Sequence, residues 1–210
     1  MANKIYIVLI ILFISKFTFS QSFSYVNNIE ILNTDTSDIS YKSFVNDRIK
    51  LNLYDLRKGT DSIKIRFWVN TLSTLDYIYE LSYKDNKWVA NKITYGTIIR
   101  TFWFLNIKIR SVDQEVYSIT ELTPVNSWDT IISSLWQNNI LSIRNQSELD
   151  SAYNYNIDDG ITYQVEYSTQ SVYRYYCWTN PKHGFKKYWD TIAIINIAEI
   201  FKNDFIEKNE

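Results

Sequence analysis

Residues 158–205 read DDGITYQVEYSTQSVYRYYCWTNPKHGFKKYWDTIAIINIAEIFKNDF, and this stretch decides the fold. Asp158-Asp159-Gly160 is a turn signal. Beyond it Ile161, Tyr163, Val165 and Tyr167 alternate with Thr162, Gln164, Glu166 and Ser168, the period of two that a strand shows. The alternation resumes from Val172 to Trp178, which predicts a hairpin, and Asn180-Pro181 ends it. From Trp189 onward Ile194, Ile197, Ala198, Phe201 and Phe205 fall on one helical stripe. A hairpin closed by a C-terminal helix is therefore expected at the centre of one core.

The hairpin loop leaves its register open. A three-residue loop over Thr169–Ser171 sets Glu166 across from Arg174, whereas a loop of two or four sends them to opposite faces. In the even register Tyr163, Val165, Tyr167, Val172, Tyr176 and Trp178 share the apolar face with Arg174. Thr162, Gln164, Glu166, Tyr173, Tyr175 and Cys177 share the other, which is polar and is expected to look outward. Glu166, Tyr173, Arg174 and Tyr175 are the candidate binding residues, for a flat sugar or a peptide. The plainer alternative is ordinary packing on an outer sheet face, with Glu166 and Arg174 as surface charges of little weight.

Working outward, Ser62–Asn70 alternates as a strand, with Ile63, Ile65, Phe67 and Val69 on one face and Lys64, Arg66 and Trp68 on the other. Leu75–Tyr83 and Lys87–Tyr95 form a hairpin. A two-residue Asp85-Asn86 loop pairs Tyr83 with Trp88 and Leu81 with Ala90. Ile98–Ile109 is a longer β-rich run and Glu115–Leu122 a weaker one. Trp128, Ile131, Ile132, Leu135 and Trp136 stand at helical spacing, with Asn126 or Ser127 as cap and Asn138-Asn139 as stop. Nearer the N-terminus a short strand is expected over Ile29–Leu32. Tyr41, Phe44, Val45, Ile49, Leu53 and Leu56 suit a helix that ends at Gly59. The fold class is α+β, a mostly antiparallel sheet of hairpins packed by two or three helices.

Composition bounds the function. Lys4 followed by the uncharged run Ile5–Ile14 has the form of a signal peptide, and the run is shorter than the roughly 20 residues that span a bilayer. Thr18 and Ser20 suit the cleavage positions, so residues 1–20 are expected to be removed before Gln21, leaving 21–210 as one domain that is periplasmic or secreted. An uncleaved anchor is the alternative. No other segment is long and apolar enough to span a membrane as a helix. The chain carries 22 basic and 23 acidic side chains and no basic cluster, which argues against nucleic acid as the main ligand. Cys177 is the single cysteine, so no internal disulfide forms and the fold rests on its core. Seven Trp, seventeen Tyr and eleven Phe supply that core; with four Gly and two Pro, the turns fall mainly to Asn, Asp, Ser and Lys.

The chemistry-bearing patterns are sparse. His183 is the only histidine and lies in the turn-rich Asn180–Gly184, where it reads as a surface residue. No Gly-x-Ser-x-Gly, His-Glu-x-x-His or glycine-rich phosphate loop occurs. A calcium loop with Gly160 at position six places Tyr155 and Ile157 at positions one and three, which supply no side-chain oxygen suited to the ion. Asp158 and Asp159 remain as a simpler cation pair. No cofactor or metal is expected.

Three stretches, Lys64–Trp68, Ser127–Ile132 and Asp159–Tyr163 continuing to Tyr173–Tyr175 and Asn180-Pro181, resemble small exported proteins of Bacteroidota-type bacteria without an assigned function. The resemblance spans roughly Ile63–Phe205 and implies an exported α+β domain, with no activity attached. Two functions stay open: a non-enzymatic exported binding domain with a protein, peptide or glycan partner, or a small hydrolase of cell-wall or glycan material.

Overall fold

The computed structural model describes residues 30–32, 39–71, 75–104, 107–149, 160–182 and 188–208, with backbone alone at 32, 39–40, 98–104 and 107–113. The strands are β1 (Glu30–Leu32), β2 (Ile63–Asn70), β3 (Leu75–Lys84), β4 (Lys87–Phe104), β5 (Ile107–Pro124), β6 (Thr162–Ser168), β7 (Val172–Thr179) and β8 (Phe205–Glu207). The helices are α1 (Ile39–Lys50), α2 (Trp128–Gln137) and α3 (Trp189–Asn203). All eight strands join one sheet in the order β1-β7-β6-β2-β3-β4-β5-β8. Only β1 with β7 is parallel; the other pairs are antiparallel. The fold is α+β, as the alternation and the two C-terminal stripes predict.

Local signals act where they stand. Asp85 and Asn86 take positive φ angles of 52° and 60°, so the β3–β4 hairpin closes in two residues with Tyr83 opposite Trp88 and Leu81 opposite Ala90. Ser127 caps α2, its Oγ accepting the Thr130 N–H at 3.2 Å. Gly160 is required by close approach: a Cβ there lies 1.4 Å from Oδ1 of Asn180, which accepts the Ile161 N–H at 2.9 Å.

The β-rich run Ile98–Ile109 covers the end of β4 and the start of β5, whose register pairs Phe104 with Ile107. Two expectations are corrected. The first helix stops at Lys50, short of Leu53 and Leu56. Asn52 turns left-handed, Asn52 N–H donates to the Ile49 carbonyl and Leu53 N–H to the Arg48 carbonyl, a reversal that closes the helix. Gly59 instead ends a single 3-10 turn, Leu56–Lys58. Phe205 is not on α3; the chain leaves the helix at Asp204 and Phe205 starts β8 opposite Pro124.

Each face of the sheet carries a buried cluster. On one, Ile65, Phe67, Val165, Tyr176 and Trp178 lie beneath α2 and α3. Phe201 of α3 stacks on Phe67 at 4.7 Å and packs against Tyr79 at 5.4 Å and Phe205 at 6.0 Å. On the other, Trp68, Ile78, Tyr173, Tyr175 and Cys177 lie beneath α1. Phe44 meets Trp68 edge-on at 5.1 Å and Tyr175 at 4.6 Å, and Tyr41 meets Tyr175 at 5.0 Å. No described helix is long and apolar enough to cross a membrane.

Candidate functional site

The hairpin takes the even register: Glu166 stands opposite Tyr175 and Tyr167 opposite Arg174. Glu166 and Arg174 therefore lie on opposite faces. The turn fixes this, because Thr169 N–H donates to the Val172 carbonyl at 2.9 Å and its Oγ1 accepts from the Val172 and Ser171 amides. The outward-looking face expected for Glu166, Tyr173 and Tyr175 is corrected. They are 0, 0 and 1% exposed, because α1 lays Tyr41 and Phe44 over them. Arg174 is 5% exposed and donates to the carbonyls of Leu141 and Ile143 in the segment after α2. Tyr176 and Trp178 bond to the same segment, at the carbonyls of Ile140 and Arg144.

Glu166 belongs to a charged row set by strand pairing. β6, β2 and β3 bring Glu166, Arg66 and Glu80 into register side by side. Arg66 Nε donates to Glu80 at 2.7 Å and its Nη1 to the Tyr54 carbonyl at 2.8 Å, with Glu166 at 3.5 Å. Lys64 Nζ reaches the other oxygen of Glu80 at 2.8 Å. Tyr173 O–H and Trp68 Nε1–H donate to Glu166 at 3.2 and 3.4 Å. Burial pushes the Glu166 carboxyl above its ordinary value despite Arg66 and Arg48. At Glu80 burial acts the same way, but Arg66 and Lys64 outweigh it and hold the carboxyl below its ordinary range. This row organises the interior: Arg66 and Glu166 are buried, and Glu80 and Lys64 form its half-buried outer end.

An open concavity lies elsewhere, at the sheet end where the β3–β4 turn meets α2. It has a volume of about 580 Å³, within the roughly 300–1,000 Å³ of small-molecule sites, and is lined by Ile63, Tyr83, Trp88, Trp128 and Trp136 with Asn86, Lys87 and Asp129. Tyr83 and Trp88 meet across the turn at 5.1 Å, and Trp88 stacks with Trp128 at 6.4 Å and 26°. Phe205 backs Trp128 at 5.9 Å, so β8 buttresses this wall. Trp128 and Trp136 stand eight residues apart on α2, about 12 Å along its axis at 1.5 Å per residue. Ile131 and Leu135 between them are buried, while Trp136 is 37% exposed at the rim.

By sequence alone Trp128 and Trp136 belong to a core stripe and Trp88 to a hairpin pair. Their convergence depends on a crossing between segments some forty residues apart. The one local signal is the stripe itself, which carries a Trp at each of its two ends. Asp158, Asp159 and His183 lie outside the described residues, as does the segment 1–20. Among the described residues no three His, Cys, Asp or Glu side chains gather as a metal site. Cys177 is a buried strand residue. The chain matches no protein-family model, no curated protein and no solved structure.

Proposed function

We propose that this is an exported, non-enzymatic binding domain whose aromatic cleft holds a sugar ring. The observation that carries the reading is the pairing of indole walls with a polar rim in one cleft. A pyranose presents a face of C–H groups and an edge of hydroxyls. The first packs on an aromatic ring, and the second needs hydrogen-bond partners once water is displaced. Trp88, Trp128 and Trp136 offer the faces; Asn86, Lys87 and Asp129 offer the partners. The walls are rigid, since the two-residue turn and the capped helix fix both banks before a ligand arrives.

Trp136→Ala tests this. The side chain stands at the rim, so stability is expected to stay within roughly 0.5 kcal/mol of the parent. Affinity for a bound sugar is expected to fall at least about tenfold, as when an aromatic hot-spot side chain is truncated. Isothermal titration with cello-, malto- and chito-disaccharides reads both proteins. Binding by none of them, or affinity unchanged by the substitution, overturns the reading.

Export is supported by Lys4, the run Ile5–Ile14 and the small residues Thr18 and Ser20. The purified native protein is expected to begin at Gln21 by mass spectrometry. Intact Met1 in a membrane fraction overturns it.

A further inference from the structure

We infer that the ligand is an uncharged oligosaccharide that runs out of the aromatic cleft into a second concavity; this rests on the glycan reading above. The second concavity, of about 610 Å³, shares Ile63, Tyr83 and Asn86 with the first. Its remaining walls are polar: Asp61 and Ser62 from the approach to β2, Lys84 and Asp85 from the β3–β4 turn, and Thr169, Gln170 and Ser171 from the β6–β7 turn. The two halves form one groove around the sheet end, aromatic at the α2 side and polar at the β6–β7 side. None of the described residues fills either half, and Tyr83, whose O–H lies 3.4 Å from Asn86 Oδ1, stands where they meet.

The polar half is as fixed as the aromatic one. Thr60 N–H donates to the Thr169 carbonyl at 3.1 Å, which ties the bank holding Asp61 and Ser62 to the bank holding Gln170 and Ser171. The hydroxyl and amide groups of Ser62, Asn86, Thr169 and Gln170 suit the edges of successive sugar rings, and the positive-φ turn at Asp85 and Asn86 holds that wall still. The charge of the groove selects further. Asp61, Asp85 and Asp129 outnumber Lys84 and Lys87. Phosphorylated, sulfated or uronate chains meet net repulsion along the groove, whereas an uncharged chain does not.

The test is a length series. Cello-, malto- and chito-oligosaccharides of two and six units are titrated into the purified full-length chain and two variants. In the series that binds, the six-unit ligand is expected to bind at least about tenfold tighter than the two-unit ligand. Ser171→Trp fills the polar half from an exposed turn position; it is expected to abolish that gain while leaving the two-unit affinity unchanged. Asp61→Ala, on the opposite bank, is expected to weaken only the six-unit ligand. Equal affinities for two and six units, or a gain that survives Ser171→Trp, overturns the extended groove and leaves the sugar cleft standing. A six-unit uronate binding as tightly as the neutral chain overturns the charge selection. Binding by none of the neutral series overturns the glycan reading and this inference together.

Discussion

Phe201→Ala is expected to lower the stability by about 3–5 kcal/mol, the usual cost of emptying a buried aromatic site. Phe201 is 1% exposed and lies in contact with Phe67, Tyr79 and Phe205, so its removal leaves two strands and β8 facing a void. The rings around the void are themselves packed against others, Phe67 on Tyr163 at 5.4 Å, which limits how far they can collapse inward. The loss is a large share of the roughly 5–15 kcal/mol that a domain of this kind has in total. No disulfide offsets it, since Cys177 is the only cysteine. Urea melts of parent and variant measure the difference. Ending the chain at Lys187 removes α3 and β8 together and is expected to abolish the cooperative transition. A cooperative melt with an unchanged midpoint overturns the central place given to the C-terminal helix.

Arg66→Met is expected to cost a similar amount, about 3–5 kcal/mol at neutral pH, because it leaves buried charge without its partner. Methionine keeps much of the volume but removes the cation shared by Glu80 and Glu166. The Glu166 carboxyl, already raised by burial, then holds its proton more firmly still in the folded chain, while Glu80 keeps Lys64 at 2.8 Å. The sign follows from that raised folded-state value. Stability from such a group is fully present below the ordinary carboxyl value, near 4.5 for both residues, and is lost as pH rises through the folded one. The deficit of the variant is therefore expected to shrink between pH 7 and pH 5. Adding Glu166→Gln to Arg66→Met is expected to recover part of the loss at pH 7. A deficit that is independent of pH and indifferent to Glu166 shows that packing of the guanidinium, not its charge, matters at this position.

The sequence was legible where the determinant is local. Asp85-Asn86 specify a two-residue turn by their own backbone preferences, and Ser127 caps α2 with its own hydroxyl. The period-two runs of β2, β3, β6 and β7 read correctly for the same reason. Reading failed where a residue's environment comes from far along the chain. Gln164 and Glu166 are polar, and alternation alone predicts an outward face for them. Glu166 is instead satisfied by Arg66 and Trp68, 100 and 98 residues away in sequence, and by Tyr173 in the next strand. Polarity signals exposure only while no distant partner is supplied. The cleft was hidden likewise. Trp88 and Trp128 each have a sufficient local explanation, and only the packing of the turn against α2 shows that the two rings share a wall.

The open side of β7 has a consequence for how the protein behaves among its own copies. The described pairing of β1 with β7 runs from Val172 to Arg174, and further along β7 side chains take the place of a strand. Asn145 Oδ1 accepts the Cys177 N–H at 3.2 Å and Gln146 Oε1 accepts the Thr179 N–H at 2.6 Å. Two side chains at alternate positions thus occupy the sites that an incoming strand would use. An exposed row of free amides is a template for strand addition and for aggregation. In this chain that template is already taken by a segment that Tyr176 and Trp178 hold in place. A sheet edge stoppered in this way resists growth into fibrils without a covalent lock.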